Sequence, residues 1–154
     1  MSPHITQKIA TFLIITILAI GLLSAQNADD INGSWLNGSG SAKIRIFKTS
    51  EQYFGNISWL RAPNDDNGKP KVDKENPDPA RRDRKLIGLL ILTGFRYDPS
   101  SNSYVDGQIY DPKSGKTYSC KIKFKDKDHL EVRGYIGISL IGRTEVWSRA
   151  DDEK

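Results

Sequence analysis

Residues 116–125 read KTYSCKIKFK. Tyr118, Cys120, Ile122 and Phe124 alternate with Thr117, Ser119, Lys121 and Lys123, so one face is apolar and the other wet. That is the pattern of a half-buried antiparallel strand, whose side chains point to opposite faces in turn. The lysines of this stretch are then a solvated strand face and not a nucleic-acid footprint. Downstream, Leu130, Val132, Gly134 and Ile136 alternate with Glu131, Arg133 and Tyr135. Upstream, Ala42, Ile44 and Ile46 alternate with Lys43, Arg45 and Phe47. Tyr53, Gly55, Ile57 and Trp59 share a face of the next strand, and Val105, Gly107 and Ile109 share one of a later strand. Arg143 to Arg149 supplies the last, with Trp147 opposite Val146.

The breaks are short and polar: Thr49-Ser50-Glu51, Asp98 to Asn102, Asp111 to Gly115 and Lys125 to Asp128. Consecutive strands with such turns predict an all-β fold, a single antiparallel up-and-down barrel of about eight strands. Leu86 to Leu92 reads as a buried strand leading into Thr93-Gly94-Phe95. One segment interrupts the meander. Residues 61–85 (RAPNDDNGKPKVDKENPDPARRDRK) hold four prolines, many charges and no aromatic residue. They are too polar for a core and too long for a hairpin turn, so they read as a long functional or mobile loop.

The N-terminus has the order of a secretory signal. Met1 to Lys8 carries one lysine, Ile9 to Leu23 is an unbroken apolar run of fifteen residues, and Ser24-Ala25 offers small residues for cleavage. The run is short for a membrane-spanning helix, which needs roughly 20 apolar residues. The expectation is a cleaved signal peptide over residues 1–25, with Ala28 as the second cleavage choice. A short linker at 26–32, a barrel at 33–149 and a polar tail at 150–154 would follow. The exported chain is expected to be secreted or periplasmic, with no membrane span after cleavage. Net charge is +4 for the whole chain, too small a surplus to point to nucleic acid. Cys120 is the only cysteine, so the domain has no internal disulfide and must rely on its core. Its strand position predicts a buried, inert thiol.

Candidate chemistry is sparse. Asp111 to Thr117 (DPKSGKT) ends like a phosphate-binding loop but has Tyr110 where the first glycine belongs, and a strand follows it. It reads as a hairpin turn. Asp65, Asp66, Asp73, Glu75 and Asp78 lack the alternating calcium-loop order, and His129 has no evident nucleophile beside it. Asn32, Asn37 and Asn56 head glycosylation-type triplets that occur freely by chance. No cofactor and no metal are expected, and the balance leans away from an enzyme.

Gly33-Ser34-Trp35 resembles the opening of lipocalin-like (calycin) barrels. That resemblance implies a tryptophan closing one end of the barrel, with a basic residue of the last strand across its ring. Arg143 is the expected partner and Arg149 the second candidate. Further blocks follow in order. They are Asn76-Pro77-Asp78-Pro79 with Arg81, Arg82 and Arg84; Leu86-Ile87-Gly88-Leu89; Gly107 to Pro112 with Ser114 to Tyr118; Arg133 to Gly137; and Gly142-Arg143-Thr144 with Trp147. Together they resemble the uncharacterised bacterial exported family "domain of unknown function 2147", from about Gly33 to Arg149. The resemblance implies a lipocalin-like barrel and no activity assignable to a residue.

The inward face is expected to hold Tyr53, Ile57, Trp59, Val105, Ile109, Tyr118, Ile122, Phe124, Leu130 and Val132. Tyr53, Trp59, Tyr118 and Phe124 are the candidate ligand contacts for a small apolar or amphipathic molecule. Asn76, Asp78, Arg82 and Arg84 are the candidate loop site. An envelope protein-interaction module acting through residues 61–85 is the alternative.

Overall fold

The computed structural model describes residues 27–138 and 140–152. The expected signal peptide, residues 1–25, lies outside them. The fold is a closed, all-antiparallel barrel in which eight strands pair in chain order and β8 returns to β1. The strands are β1 Gly33–Leu36, β2 Ala42–Thr49, β3 Gln52–Leu60, β4 Leu90–Asp98, β5 Ser103–Asp111, β6 Lys116–Asp126, β7 His129–Tyr135 and β8 Gly142–Ala150. Closure removes the exposed sheet edges that a meander of this length would otherwise present. No helix among the described residues is long and apolar enough to cross a membrane.

The alternation of β6 holds from Tyr118 to Lys125, before a register shift at Asp126: Cys120 and Ile122 are buried while Lys123 and Lys125 face solvent. Burial pushes the Cys120 thiol up to about 12, so it stays protonated at neutral pH. A thiol reagent is expected to modify native protein slowly and unfolded protein fast; rapid native labelling would contradict the inward placement.

Register shifts change the phase of the pattern elsewhere. In β3, Lys43 pairs with Trp59 but Ile44 pairs with Ile57, which leaves Ser58 as an extra residue. Trp59 is therefore turned outward, where the Lys43 amine stands 5.5 Å from its ring centroid. In β5, Tyr104 pairs with Ile122 and Gly107 with Cys120, and Asp106 takes φ 62° to absorb the extra residue. Tyr104 enters the core and Val105 faces out opposite Arg96. The β3–β4 ladder shifts twice, once in β4 beside Gly94, whose φ of 73° suits a residue without Cβ, and again between Gly55 and Asn56. Trp59 and Val105 thus leave the inward face that strict alternation assigns them.

Two further boundaries differ from the sequence expectation. Leu86 to Leu89 form a turn, closed by the Leu89 amide donating to the Leu86 carbonyl at 3.0 Å, and the strand begins only at Leu90. The residues before β1 are part of the barrel and not a linker. Ala28–Ile31 form a 3₁₀ turn capped by Asn27, and Ile31 is buried. At the other terminus, Asp152 accepts from the Ser34 hydroxyl at 2.6 Å and meets Arg45 at 2.7 Å.

Candidate functional site

The two ends of the barrel differ in kind. At the end covered by the 3₁₀ turn the interior is solid, with Trp35, Tyr104, Phe95, Leu92, Ile122 and Leu130 all buried. No room for a water molecule remains among Ile31, Ile46, Tyr53, Leu92, Phe95 and Ile122. The Tyr53 hydroxyl donates to Asp29 at 2.6 Å and the Tyr104 hydroxyl to the Ala28 carbonyl at 2.5 Å, so the turn is tied down from below. Phe124 packs edge-on against Trp35, ring centroids 5.9 Å apart. Tyr53 and Phe124 are therefore plugs of the closed end and do not reach an open space.

Trp35 sits at the base of that plug, donating its indole N–H to the Ile31 carbonyl at 2.8 Å. The cation over its ring is Arg149, with the guanidinium carbon 4.1 Å from the ring centroid. Register decides this: Trp35 lies directly opposite Arg149 in the β1–β8 ladder. Arg143 stands about 20 Å further along β8 at roughly 3.3 Å per residue, at the other end of the barrel. Arg149 also donates to the Asp30 carbonyl at 2.9 Å, so it joins the 3₁₀ turn to the last strand.

The opposite end is open. A cavity of about 820 Å³ descends from the mouth, within the few hundred to a thousand Å³ usual for small-molecule sites. Ile44, Ile57, Ile91, Ile109, Val132 and Trp147 form its apolar walls. Asn37, Ser39 and Ser41 of the β1–β2 loop, Tyr110, Tyr118, Lys113 and Arg143 give its upper part polar character. Glu145 is also inside, accepting from the Trp147 indole N–H at 3.3 Å. The Asp111 carboxylate is engaged by its own turn, taking the Lys113 amide at 3.0 Å and the Ser114 hydroxyl at 2.7 Å. Lys113 and Arg143 have no ion-pair partner among the described residues. Of the four expected ligand contacts, Tyr118 alone borders this space. The β5–β6 segment that ends in Gly-Lys-Thr is a hairpin turn beside it.

Residues 61–85 form a folded flap on the same end. Short bridges join Asn64 to Pro70 and Val72 to Lys85. Asp73, completely buried, is its centre. Its carboxylate accepts from the Tyr110 hydroxyl at 2.6 Å, the Asn76 amide at 2.7 Å and Arg84 at 3.2 Å. The segment stays out of the hydrophobic core, as its polarity predicts, and Asp73 and Asn76 are its buried residues; a carboxylate with three donors is satisfied away from water. Desolvation, followed by the bond to Asp73, raises Tyr110 to about 12. Gly115 is left-handed, and a Cβ there would run into the Glu75 carbonyl, so the flap presses directly on the β5–β6 turn. Of the loop candidates, Asn76 and Arg84 belong to this latch. Arg82 only holds the Asn76 carbonyl at 2.9 Å, and Asp78 caps the 3₁₀ turn Pro79–Arg81 through the Ala80 amide at 3.0 Å.

A family model described as "Uncharacterized protein conserved in bacteria (DUF2147)" matches residues 33–149. The chain belongs to this family. In this DUF2147 member the matched span covers all eight strands, with β8 ending one residue beyond it. Among solved structures, protein HP1028 from Helicobacter pylori, described as belonging to the lipocalin family, superposes with a TM-score of 0.68. It is 23% identical over 79% of this chain and 84% of that one, a likeness that establishes the lipocalin-like fold. No curated protein matches the chain.

Trp147, Glu145 and Tyr110 are the cavity and latch residues whose roles the sequence pattern did not assign. The alternation of Arg143, Glu145 and Trp147 along β8 carries the signal for the first two.

Proposed function

We propose that this DUF2147 barrel binds a small amphipathic molecule in the open-end cavity, apolar part downward and an acidic head at the mouth. The observation that carries this is the cavity of about 820 Å³, apolar in its walls and bordered by two cations without ion-pair partners among the described residues. Burying an alkyl chain there gains about 0.8 kcal/mol per CH₂. Arg143 and Lys113 favour a carboxylate or similar anion over a neutral or cationic head. Glu145, already accepting from Trp147, disfavours a second anion reaching deeper.

The test is thermal unfolding in the presence of dodecanoate, dodecanol and dodecyltrimethylammonium. A ligand at 100 times its dissociation constant adds roughly 2.7 kcal/mol. The expected order of stabilisation is acid, then alcohol, then cation; no stabilisation by any of them, or the cation binding best, would sink the proposal. Gly134→Leu is the blocking control, because a Cβ at Gly134 points toward Ile109 and Tyr118 at ordinary contact distances of 3.5 and 3.7 Å. The added side chain fills the cavity without a backbone clash.

We also propose export to the periplasm or medium with cleavage after Ala25. What supports that cut over one after Ala28 is that Asn27 caps the 3₁₀ turn and the Ala28 carbonyl receives Tyr104. Intact mass of the envelope form should correspond to a chain starting at Gln26.

A further inference from the structure

The loop joining β7 to β8 stands at the mouth and exposes an unusual set of side chains. Leu140 is 84% exposed, Ile136 70%, Ile141 68% and Ile138 60%. Four large exposed aliphatics within six residues of sequence set this tip apart from the scattered singles of an ordinary surface. The hairpin is braced from behind, with Arg133 donating to the Leu140 carbonyl at 3.2 Å and to the Thr144 hydroxyl at 2.9 Å. Ile87, 47% exposed, follows the flap on the same end of the barrel.

Charge is divided between the two ends. Around the mouth, Lys113, Lys116, Arg133 and Arg143 lie on the strands and turns next to the apolar tip. The two strand carboxylates near them, Asp111 and Glu145, are held by a turn and by Trp147, and the flap on the same end carries six carboxylates against eight lysines and arginines. At the closed end Asp29, Asp30, Glu51, Asp98, Asp126, Asp128 and Asp152 outnumber Arg45, Lys48, Lys125, Lys127 and Arg149, with Lys48 paired to Asp29 and Arg45 to Asp152. A field of this shape turns the mouth toward a negative surface.

We propose that the open end docks on an anionic lipid bilayer, the β7–β8 tip entering the interface while the basic rim meets the headgroups. A bilayer offers hydrocarbon for Ile136, Ile138, Leu140 and Ile141, and anions for Lys113, Lys116 and Arg143, which have no ion-pair partner among the described residues. Docking in this orientation places the cavity mouth against a reservoir of amphiphiles. The inference stands on the tip and the rim and does not require that the cavity be occupied.

The buried Cys120 allows a site-specific test on the exported chain. A single cysteine is introduced as Leu140→Cys or, at the closed end, as Asn102→Cys, and labelled under native conditions with an environment-sensitive dye. Vesicles are phosphatidylcholine alone or mixed with phosphatidylglycerol. The dye at position 140 should shift to the blue on the mixed vesicles and little on phosphatidylcholine, and the dye at position 102 should not respond. Adding Ile138→Asp should lower partitioning about tenfold or more, by removing an inserting side chain and adding an anion. Lys113→Gln and Lys116→Gln should each lower it roughly fivefold, which tests the rim without touching the tip. No response at 140, or an equal response at 102, would overturn the proposal. A blue shift that grows with protein concentration in the absence of vesicles would assign the tip to a second copy of the chain and overturn it equally. Fatty-acid binding is measured in vesicle-free solution, so failure of docking and failure of cavity binding are told apart.

Discussion

Replacing Trp35 with alanine is expected to destabilise the barrel by about 3–5 kcal/mol, the range for removing a buried aromatic residue. The indole is fully buried, packs on Phe124, donates to Ile31 and lies under Arg149, so its loss opens the closed end on every side. Arg149→Ala is expected to cost less, because the guanidinium remains partly in water. A double-mutant cycle between Trp35 and Arg149 should show coupling of about 0.5–2 kcal/mol, the span of cation–π contacts from exposed to desolvated sites. The same cycle between Trp35 and Arg143 should give coupling near zero. Chemical denaturation of the four chains measures both, and the reverse result would mean that β1 and β8 pair in another register.

The second large effect is expected at Asp73. Asp73→Ala leaves the Tyr110 hydroxyl and the Asn76 amide without their acceptor and Arg84 without its ion pair, at a cost of roughly 2–4 kcal/mol. Asp73→Asn, which keeps an oxygen acceptor, should cost less. Limited proteolysis should find residues 61–85 protected in the native chain and cut early in Asp73→Ala. Tyr110 supplies an independent readout. Its folded pKa of about 12 is raised above the ordinary tyrosine value of 10. A raised pKa means that its contribution to stability is complete below pH 10 and is lost as pH climbs through 12. Ultraviolet titration should show this late-ionising tyrosine in the native chain and its return toward 10 in Asp73→Ala. Protection of the flap unchanged in Asp73→Ala would show that the buried carboxylate is not what holds it.

How far the sequence discloses the molecule depends on the range of the contacts. The alternation of Tyr118 to Phe124 is local, and it correctly signals the inward face of β6 and the burial of Cys120. The barrel follows from several such strands joined by short polar turns. What alternation does not carry is a change of phase inside a strand. Nothing in Ser58 or Asp106 announces a bulge, so Trp59 and Val105 read as inward though both face out. The candidate site was legible only in part for the same reason. Tyr118 borders the cavity, while Tyr53 and Phe124 are inward but lie in the packed half, and depth along a barrel is set by register and not by periodicity. Asp73 looks like its charged neighbours because its acceptor role depends on Tyr110, 37 residues away. Arg149 outranks Arg143 only once the β1–β8 register is known.

The cavity itself is best tested through its own indole. Trp35 is sealed in the closed end and Trp59 lies outside the barrel, whereas Trp147 lines the cavity wall. Titration of dodecanoate into the chain, followed by tryptophan fluorescence, should give a saturable one-to-one change that is absent in Trp147→Phe and in Gly134→Leu. No saturable change in the parent chain, or the same change in Gly134→Leu, would contradict a ligand-binding barrel.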